Sequence, residues 1–158
     1  MTIDYSHYKL WEREMIFKDQ HKDLPQGNYA ILWEDPADPE APAKVTRPSP
    51  TWLAMAMHGG ILPPVEVYWA LREDEERDGF IRHTRGHLLH ETPPVPAMTE
   101  EEAMEYLAMK DLPPRVWRDY QGNRTILKIV PVHMIPTDRT FRNAWRIAQE
   151  RSEEDVAA

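Results

Sequence analysis

The sequence predicts an α+β fold, in which several short helices pack around one or two small antiparallel hairpins with proline-rich connections. Three observations predict it. Apolar residues recur at helical spacing in several segments. Short runs rich in apolar and β-branched residues lie beside turn-forming glycine and asparagine. Proline accounts for 15 of the 158 residues, about twice its average share of roughly 5%, and it repeatedly interrupts the helical and extended patterns.

The N-terminal part of the chain is predicted to contain a helix and then a buried strand. In residues 5–22, apolar side chains recur at helical spacing and form the face expected to pack: Tyr8, Trp11, Met15 and Ile16. Charged side chains, Arg13 among them, lie elsewhere on this helix. A turn rich in Pro, Gly and Asn leads to the strand at residues 29–33.

Residues 34–50 carry five prolines among acids and alanines. Proline removes amide donors and biases the preceding residue away from helix, so this stretch is expected to be an extended arm or linker. Two interpretations stay open, a surface connection and an arm laid on a neighbouring subunit. The predicted organisation is therefore an N-terminal helix and strand (1–33), the arm (34–50), a main α+β unit (51–151) and a frayed tail (152–158).

Four further helices are expected. Residues 50–57 have almost no polar face and should be buried, ending at Gly59-Gly60. Pro63-Pro64 opens the next helix, which closes near Gly79 after a run of four acids. Thr99 and Glu102 form a capping box that opens a helix through Lys110. Thr137 or Asp138 can cap a final helix.

Two hairpins are expected between these helices. Residues 80–84 and 87–90 flank the turn Arg85-Gly86. The stronger candidate joins residues 116–120 to residues 125–130 through a turn that contains Gly122 and Asn123.

Composition excludes several classes of protein. Acids outnumber bases 27 to 19, for a net charge of -8, whereas a general nucleic-acid coat needs a basic surface. Without cysteine there is no disulfide framework, thiol nucleophile or thiolate metal site. No long apolar run or signal-peptide pattern is present, so we expect a cytoplasmic protein without a membrane partner. Phosphate-binding, dinucleotide-binding and serine-hydrolase motifs are absent, which predicts neither cofactor nor enzymatic activity.

The C-terminal third is locally basic. Nine bases and four acids lie between Lys110 and Arg151. On the predicted final helix a stripe of three arginines lies opposite Phe141 and Trp145. The candidate partner-binding set consists of that stripe and the tryptophan: Arg139, Arg142, Arg146 and Trp145. Guanidinium groups match carboxylates and phosphates in paired contacts. The stripe could pair with the chain's own acidic half, with an acidic protein or with nucleic-acid phosphates.

His83, His87 and His90 are the only histidine cluster and the weak candidates for metal ligands. On a helix their spacing would place all three on one face and suit an open zinc site. A hairpin that turns at Arg85-Gly86 would instead make the three rings diverge. We therefore expect ordinary surface or half-buried histidines.

The C-terminal third also resembles a known group of proteins. Residues 108–113 (AMKDLP), a short β stretch and then residues 135–145 (IPTDRTFRNAW) resemble a segment of many small phage and prophage proteins of uncharacterised function. The resemblance covers residues 103–147, under a third of the chain. It implies a phage or prophage origin and carries over no catalytic residue.

Together these features predict a non-enzymatic, phage-encoded structural or assembly protein that acts through protein–protein contacts. Its aromatic residues would anchor a partner, which could be a second copy, a phage protein or a host protein. Such a protein would work in the host cytosol or on the virion. One alternative is a small acidic inhibitor or adaptor that binds a basic host protein. The other is a metallohydrolase with a site at His83, His87 and His90.

Overall fold

The computed structural model of the protein describes residues 3–24, 26–38, 40–78, 87–117 and 126–135. In these ranges it contains helices and one three-stranded antiparallel sheet, so the predicted α+β class is confirmed. The chain forms two compact units, each built from two separate segments. Unit 1 contains Met1–Gln26 with Ser49–Tyr106, and unit 2 contains Gly27–Pro48 with Leu107–Ala158. The predicted boundaries rest on composition along the chain, and they stay a prediction.

Unit 1 is helical. After a 3-10 turn at Tyr5–His7, its helices are α1 (Leu10–Gln20), α2 (Pro50–His58), α3 (Val65–Asp78), α4 (Leu88–Glu91) and α5 (Glu100–Asp111), of which α5 ends in unit 2. Its buried side chains come from every part of the unit and include Tyr5, Phe17, Leu53, Met55, Ile61, Leu71, Met104 and Tyr106. Burial of this apolar surface is the main driving force for the unit's folding.

Side-chain caps order two helix starts, and one of the caps is predicted from the sequence. The Thr99 hydroxyl accepts a hydrogen bond from the Glu102 amide at 3.1 Å, and the Glu102 carboxylate accepts one from the Thr99 amide at 2.9 Å. This reciprocal pair is the predicted capping box of α5. At α2, the Ser49 hydroxyl accepts from the Trp52 amide and Pro50 occupies the first turn.

The glycine pair that follows α2, Gly59 and Gly60, packs against residues 95–97, in the proline-rich segment between α4 and α5. The Gly60 amide donates to the Val95 carbonyl and the Val95 amide donates to the Leu62 carbonyl, each at 2.8 Å. Gly59 has φ +80°, and a Cβ atom there would lie 2.3 Å from the Ala97 nitrogen. Glycine is therefore required at residue 59 both by the backbone angle and by the neighbouring chain.

Unit 2 contains the sheet, with strands β1 (Tyr29–Trp33), β2 (Lys44–Thr46) and β3 (Leu127–Pro131), together with the short helix α6 (Pro114–Trp117). The strand order is β2–β1–β3, and both pairings are antiparallel. Ile31 lies opposite Thr46 on one side and Ile129 on the other. The central strand is the one predicted at residues 29–33, and its three middle residues are buried as expected.

The proline-rich stretch at residues 34–50 is not extended throughout. A turn at residues 36–37 reverses the chain, and β2 then pairs with β1. Lys44–Thr46 contains no proline, and its Val45 and Thr46 favour strand. It forms an edge strand, and Pro48 follows it.

Both predicted hairpins need correction. His87 and the following residues form the helical turn α4 rather than a strand, with the Glu91 and Thr92 amides bonded to the His87 and Leu88 carbonyls. Val116 and Trp117 belong to α6, which Pro114 opens, and β3 pairs with β1 instead. The remaining parts of these hairpins, the predicted final helix and the predicted tail lie outside the described residues.

Across the described ranges, every helix is too short or too polar to span a bilayer.

Candidate protein-binding surface

The orientation of α1 is the reverse of the one expected from its pattern. Trp11 and Met15, predicted to pack, are 57% and 61% exposed. Arg13, predicted to face solvent, is 0% exposed, and Phe17 one turn later is buried beside it. The predicted packing face was therefore wrong, because Arg13 finds hydrogen-bond acceptors inside the unit that the helical pattern does not reveal.

Arg13 makes three hydrogen bonds to backbone carbonyls. Its Nε donates to the Tyr8 oxygen at 2.9 Å, Nη1 to the Ile61 oxygen at 2.7 Å and Nη2 to the His90 oxygen at 2.8 Å. These carbonyls belong to the segment before α1, the segment after α2 and the helix α4. One guanidinium group thus joins three parts of unit 1.

The cost of burying this cation is offset by the fixed fork of the guanidinium group, which matches three acceptors at once. Burial lowers the pKa of Arg13, while Asp4 and Tyr68 oppose that shift. An arginine keeps its charge at neutral pH even so. Rotation of α1 to bury Trp11 would move Arg13 toward solvent and leave three carbonyls without these bonds, so the exposed face is fixed by Arg13.

His90 holds the start of α1 through its side chain. Its Nδ1 accepts a hydrogen bond from the Leu10 amide at 2.8 Å. That amide is one of those a helix start leaves without an intrahelical partner. Because Nδ1 is an acceptor, the neutral ring carries its proton on Nε2. Burial, followed by the nearby Arg13 and Lys9, lowers the pKa of His90 and favours this neutral form.

Further contacts order both ends of α1. The Glu12 carboxylate accepts from the Lys9 amide at 2.9 Å. Upstream, the Asp4 carboxylate accepts from the Ser6 hydroxyl and amide, and these bonds lower its pKa. Toward the other end, the Phe17 ring lies 6.3 Å from the buried Tyr5 ring. The helix is therefore held along its buried side.

The outcome is an exposed apolar surface on an ordered helix. Trp11 and Met15 are four residues apart, and therefore adjacent on one side of the helix; we name this pair the α1 face. Tyr8, just before the helix, is also 41% exposed. The other described tryptophans, by contrast, are half-buried: Trp33, Trp52, Trp69 and Trp117. The pair offers an indole, a thioether and apolar area, which is the chemistry of contact rather than of catalysis.

The partner-binding set predicted from the sequence, Arg139, Arg142, Arg146 and Trp145, lies outside the described residues, as does His83. The structure places His87 and His90 on the same helical turn but gives them different partners. His87 Nε2 lies 3.7 Å from the Glu91 carboxylate, whereas His90 binds the Leu10 amide. In the described part of the chain, no three metal-ligating side chains gather into one group.

The α1 face was missed because two stripes compete on this helix. Trp11 and Met15 form one, and Arg13 and Phe17, also four residues apart, form the other. Hydrophobicity favours burying the first stripe. The signal that could have identified the second is Phe17, a large apolar residue that has no place on the predicted packing face.

Comparison of the chain with protein-family models, with curated proteins and with solved structures found no match.

Proposed function

We propose that the protein is a non-enzymatic, phage-encoded structural or assembly component that acts through protein–protein contact, with the α1 face as a contact surface. The observation that carries this proposal is the exposure of Trp11 and Met15 on a helix whose opposite side is anchored by the buried Arg13. Tryptophan is enriched among the residues that dominate binding energies. Met15 beside it supplies an adaptable apolar surface.

The anchoring favours binding over incidental exposure. A partner that docks on a preformed helix does not have to order it, so less free energy is lost on association. Isolated exposed apolar residues are common, whereas large contiguous apolar patches mark interaction sites.

The phage origin rests on the sequence resemblance of residues 103–147. The predicted set Arg139, Arg142, Arg146 and Trp145 is proposed as a second contact surface. It would offer charge-assisted hydrogen bonds to an acidic partner, whereas the α1 face offers apolar area. The two surfaces are therefore distinguishable by the salt dependence of binding.

The first test is the absolute mass in solution, by light scattering after size exclusion at low and high salt. If copies of the protein assemble through the α1 face, wild type should exceed the 18.6 kDa of one chain, and Trp11→Gln/Met15→Gln should not. Met134→Gln is the matched control, because Met134 is 66% exposed but lies in unit 2. Unchanged assembly in the double variant would exclude the α1 face.

One observation favours a second candidate, an acidic adaptor for a basic host protein. Residues 87–106 contain five glutamates and no lysine or arginine, and three of those glutamates on α5 are exposed: Glu101, Glu102 and Glu105. A chain that stays monomeric at both salt concentrations would favour this candidate. Its binding to a basic partner should then weaken steeply with salt, whereas contact through the α1 face should not.

A further inference from the structure

Two histidines come together where α1 and α2 end. His21 follows the last residue of α1, and His58 is the last residue of α2. Their ring centroids lie 5.8 Å apart, with the ring planes at 77°. The two helices pack against each other in unit 1, so this proximity belongs to one compact unit.

Aromatic neighbours hold both rings. The His21 ring stacks on Phe17 with centroids 4.0 Å apart. The His58 ring meets Phe17 edge-to-face at 5.6 Å and Tyr5 at 5.8 Å. His58 is exposed and His21 is half-buried. The pair is thus positioned by packing but remains open to water and to dissolved ions.

The hydrogen bonds decide which nitrogen of each ring carries the proton. His21 Nδ1 lies 3.1 Å from the Phe17 carbonyl, and His58 Nδ1 lies 2.8 Å from the Gly59 carbonyl. A carbonyl oxygen only accepts, so both Nδ1 atoms donate, and in the neutral ring each Nε2 then carries a lone pair. Histidines that bind metals through Nε2 typically donate from Nδ1 to a carbonyl or carboxylate in this way.

The spacing of the rings also suits a shared ion. Two imidazoles bound through nitrogen to one tetrahedral ion, at about 2.0–2.1 Å, have ring centres roughly 5 Å apart. The observed separation of the ring centroids, 5.8 Å, is close to that value. Neutral imidazole suits zinc, copper and nickel.

We infer that His21 and His58 form a two-imidazole site for a divalent transition-metal ion, which would join the ends of α1 and α2. Two protein nitrogens leave further coordination positions to water or to a ligand from another molecule. This inference does not depend on the proposed function. It also involves none of the histidines that the sequence pattern groups together.

The test uses the whole 158-residue chain with Zn²⁺ or Cu²⁺ as the only added ligand. Zn²⁺ should raise the melting temperature of wild type, and titration calorimetry should show binding. Cu²⁺ should give an electron paramagnetic resonance spectrum with hyperfine coupling from two nitrogens. His21→Phe preserves the ring stacked on Phe17, and His58→Phe preserves an aromatic edge. Each should weaken Zn²⁺ binding at least about tenfold, since even second-shell substitutions cost that much.

His133→Gln is the matched control, because His133 is exposed and lies in unit 2. It should bind Zn²⁺ as wild type does. Circular dichroism without metal checks that each variant is folded; if a phenylalanine variant is not, the corresponding glutamine variant replaces it. Binding that survives in His21→Phe/His58→Phe, a copper spectrum without two nitrogens, or a wild-type protein that binds neither ion would overturn the inference and leave an aromatic packing cluster.

Discussion

The Nδ1 atom of His90 accepts a hydrogen bond of 2.8 Å from the Leu10 amide, across 80 residues of sequence. The carbonyl of the same histidine accepts from the Arg13 guanidinium group. Helix α4 therefore holds the first turn of α1 by both a side chain and the backbone. Presentation of Trp11 and Met15 depends on these contacts, since they fix which side of α1 faces solvent.

Acidification should destabilise unit 1 through His90. Its folded-state pKa lies below the ordinary 6.5, mainly because of burial. The unfolded chain therefore takes up a proton first as the pH falls. The stability contributed by neutral His90 is complete above 6.5 and is lost between that value and the lower folded-state pKa. Urea unfolding measured between about pH 7.5 and about pH 5 should show the decline.

His90→Asn is the informative variant for this test, because its amide oxygen can accept from Leu10 and does not titrate. It should flatten the decline in stability over that interval. An unchanged slope would show that other groups cause the decline.

Replacement of Arg13 should strongly destabilise the protein. Arg13→Met leaves the buried Ile61 carbonyl and two part-buried carbonyls without their donor, and a buried unsatisfied group costs about 1–3 kcal/mol. Arg13→Lys cannot restore the three-way fork and should recover only part of the loss. Lys18→Met, on the same helix, is the control, since its 3.8 Å contact with Glu14 is an exposed pair worth little. Chemical denaturation compares the variants; equal losses for Arg13→Met and Lys18→Met would contradict the arrangement.

The reversed orientation of α1 predicts opposite outcomes for two of its large apolar residues. Phe17→Ala should lower the free energy of unfolding by about 3–5 kcal/mol, because it leaves a cavity where a buried ring was packed. Trp11→Ala should change the free energy of unfolding by only about 0.5 kcal/mol, as most surface substitutions do. Thermal or urea unfolding measures both. The reverse ranking would mean that Trp11 is the packed residue.

An ion pair in unit 2, between Arg115 and Asp35, should control the pKa of the Asp35 carboxyl. Arg115 donates to both Asp35 oxygens, at 2.6 and 2.7 Å, and these bonds lower the Asp35 pKa from 3.8 to about 2. Its stabilising contribution is present above 3.8 and is lost as the pH falls toward about 2. NMR titration should show this pKa rising in Arg115→Gln. Lys44→Gln, which removes only a weaker charge effect, should raise it less, and an unshifted pKa in Arg115→Gln would exclude the pair.

The two glycines after α2 should differ in their tolerance of alanine. Both have positive φ, +80° at Gly59 and +76° at Gly60, but only at Gly59 would a Cβ meet the Ala97 backbone, at 2.3 Å. Gly60→Ala should lower the free energy of unfolding only by the backbone strain of a positive φ, about 1–3 kcal/mol. Gly59→Ala should cost more, because residues 95–98 must also move. The melting temperatures of the two variants test this difference. Equal melting temperatures would exclude the close approach of residue 59 to the Ala97 backbone.

Structural features that depend on neighbouring residues could be predicted from the sequence. The Thr99–Glu102 capping box, the helix at residues 50–57 and the strand at residues 29–33 all depend on neighbouring residues, and the structure shows each of them. Pairing between strands that are far apart in the sequence was not predictable. A strand pattern does not specify its partner. The sequence therefore predicts pairing of residues 125–130 with the nearby residues 116–120, whereas β3 pairs with β1, about a hundred residues earlier.

The sequence pattern does not predict the α1 face, because its exposure also depends on long-range contacts. Burial of Arg13 depends on carbonyls at Ile61 and His90 that no local pattern places beside it. The metal site proposed at His21 and His58 likewise joins residues from two helices. The sequence pattern groups His83, His87 and His90 because they are close along the chain. Packing and hydrogen bonds instead bring His21 and His58 together in space.

The strand order β2–β1–β3 has a consequence for synthesis on the ribosome. β1 and β2 emerge early, but the third strand begins only at Leu127. Until then one edge of β1, a strand with three buried residues, has no pairing partner in the nascent chain. An unpaired apolar edge invites pairing with other chains. Truncation before Leu127 should therefore yield aggregated product, whereas a chain that includes all of β3, through Pro131, should aggregate less.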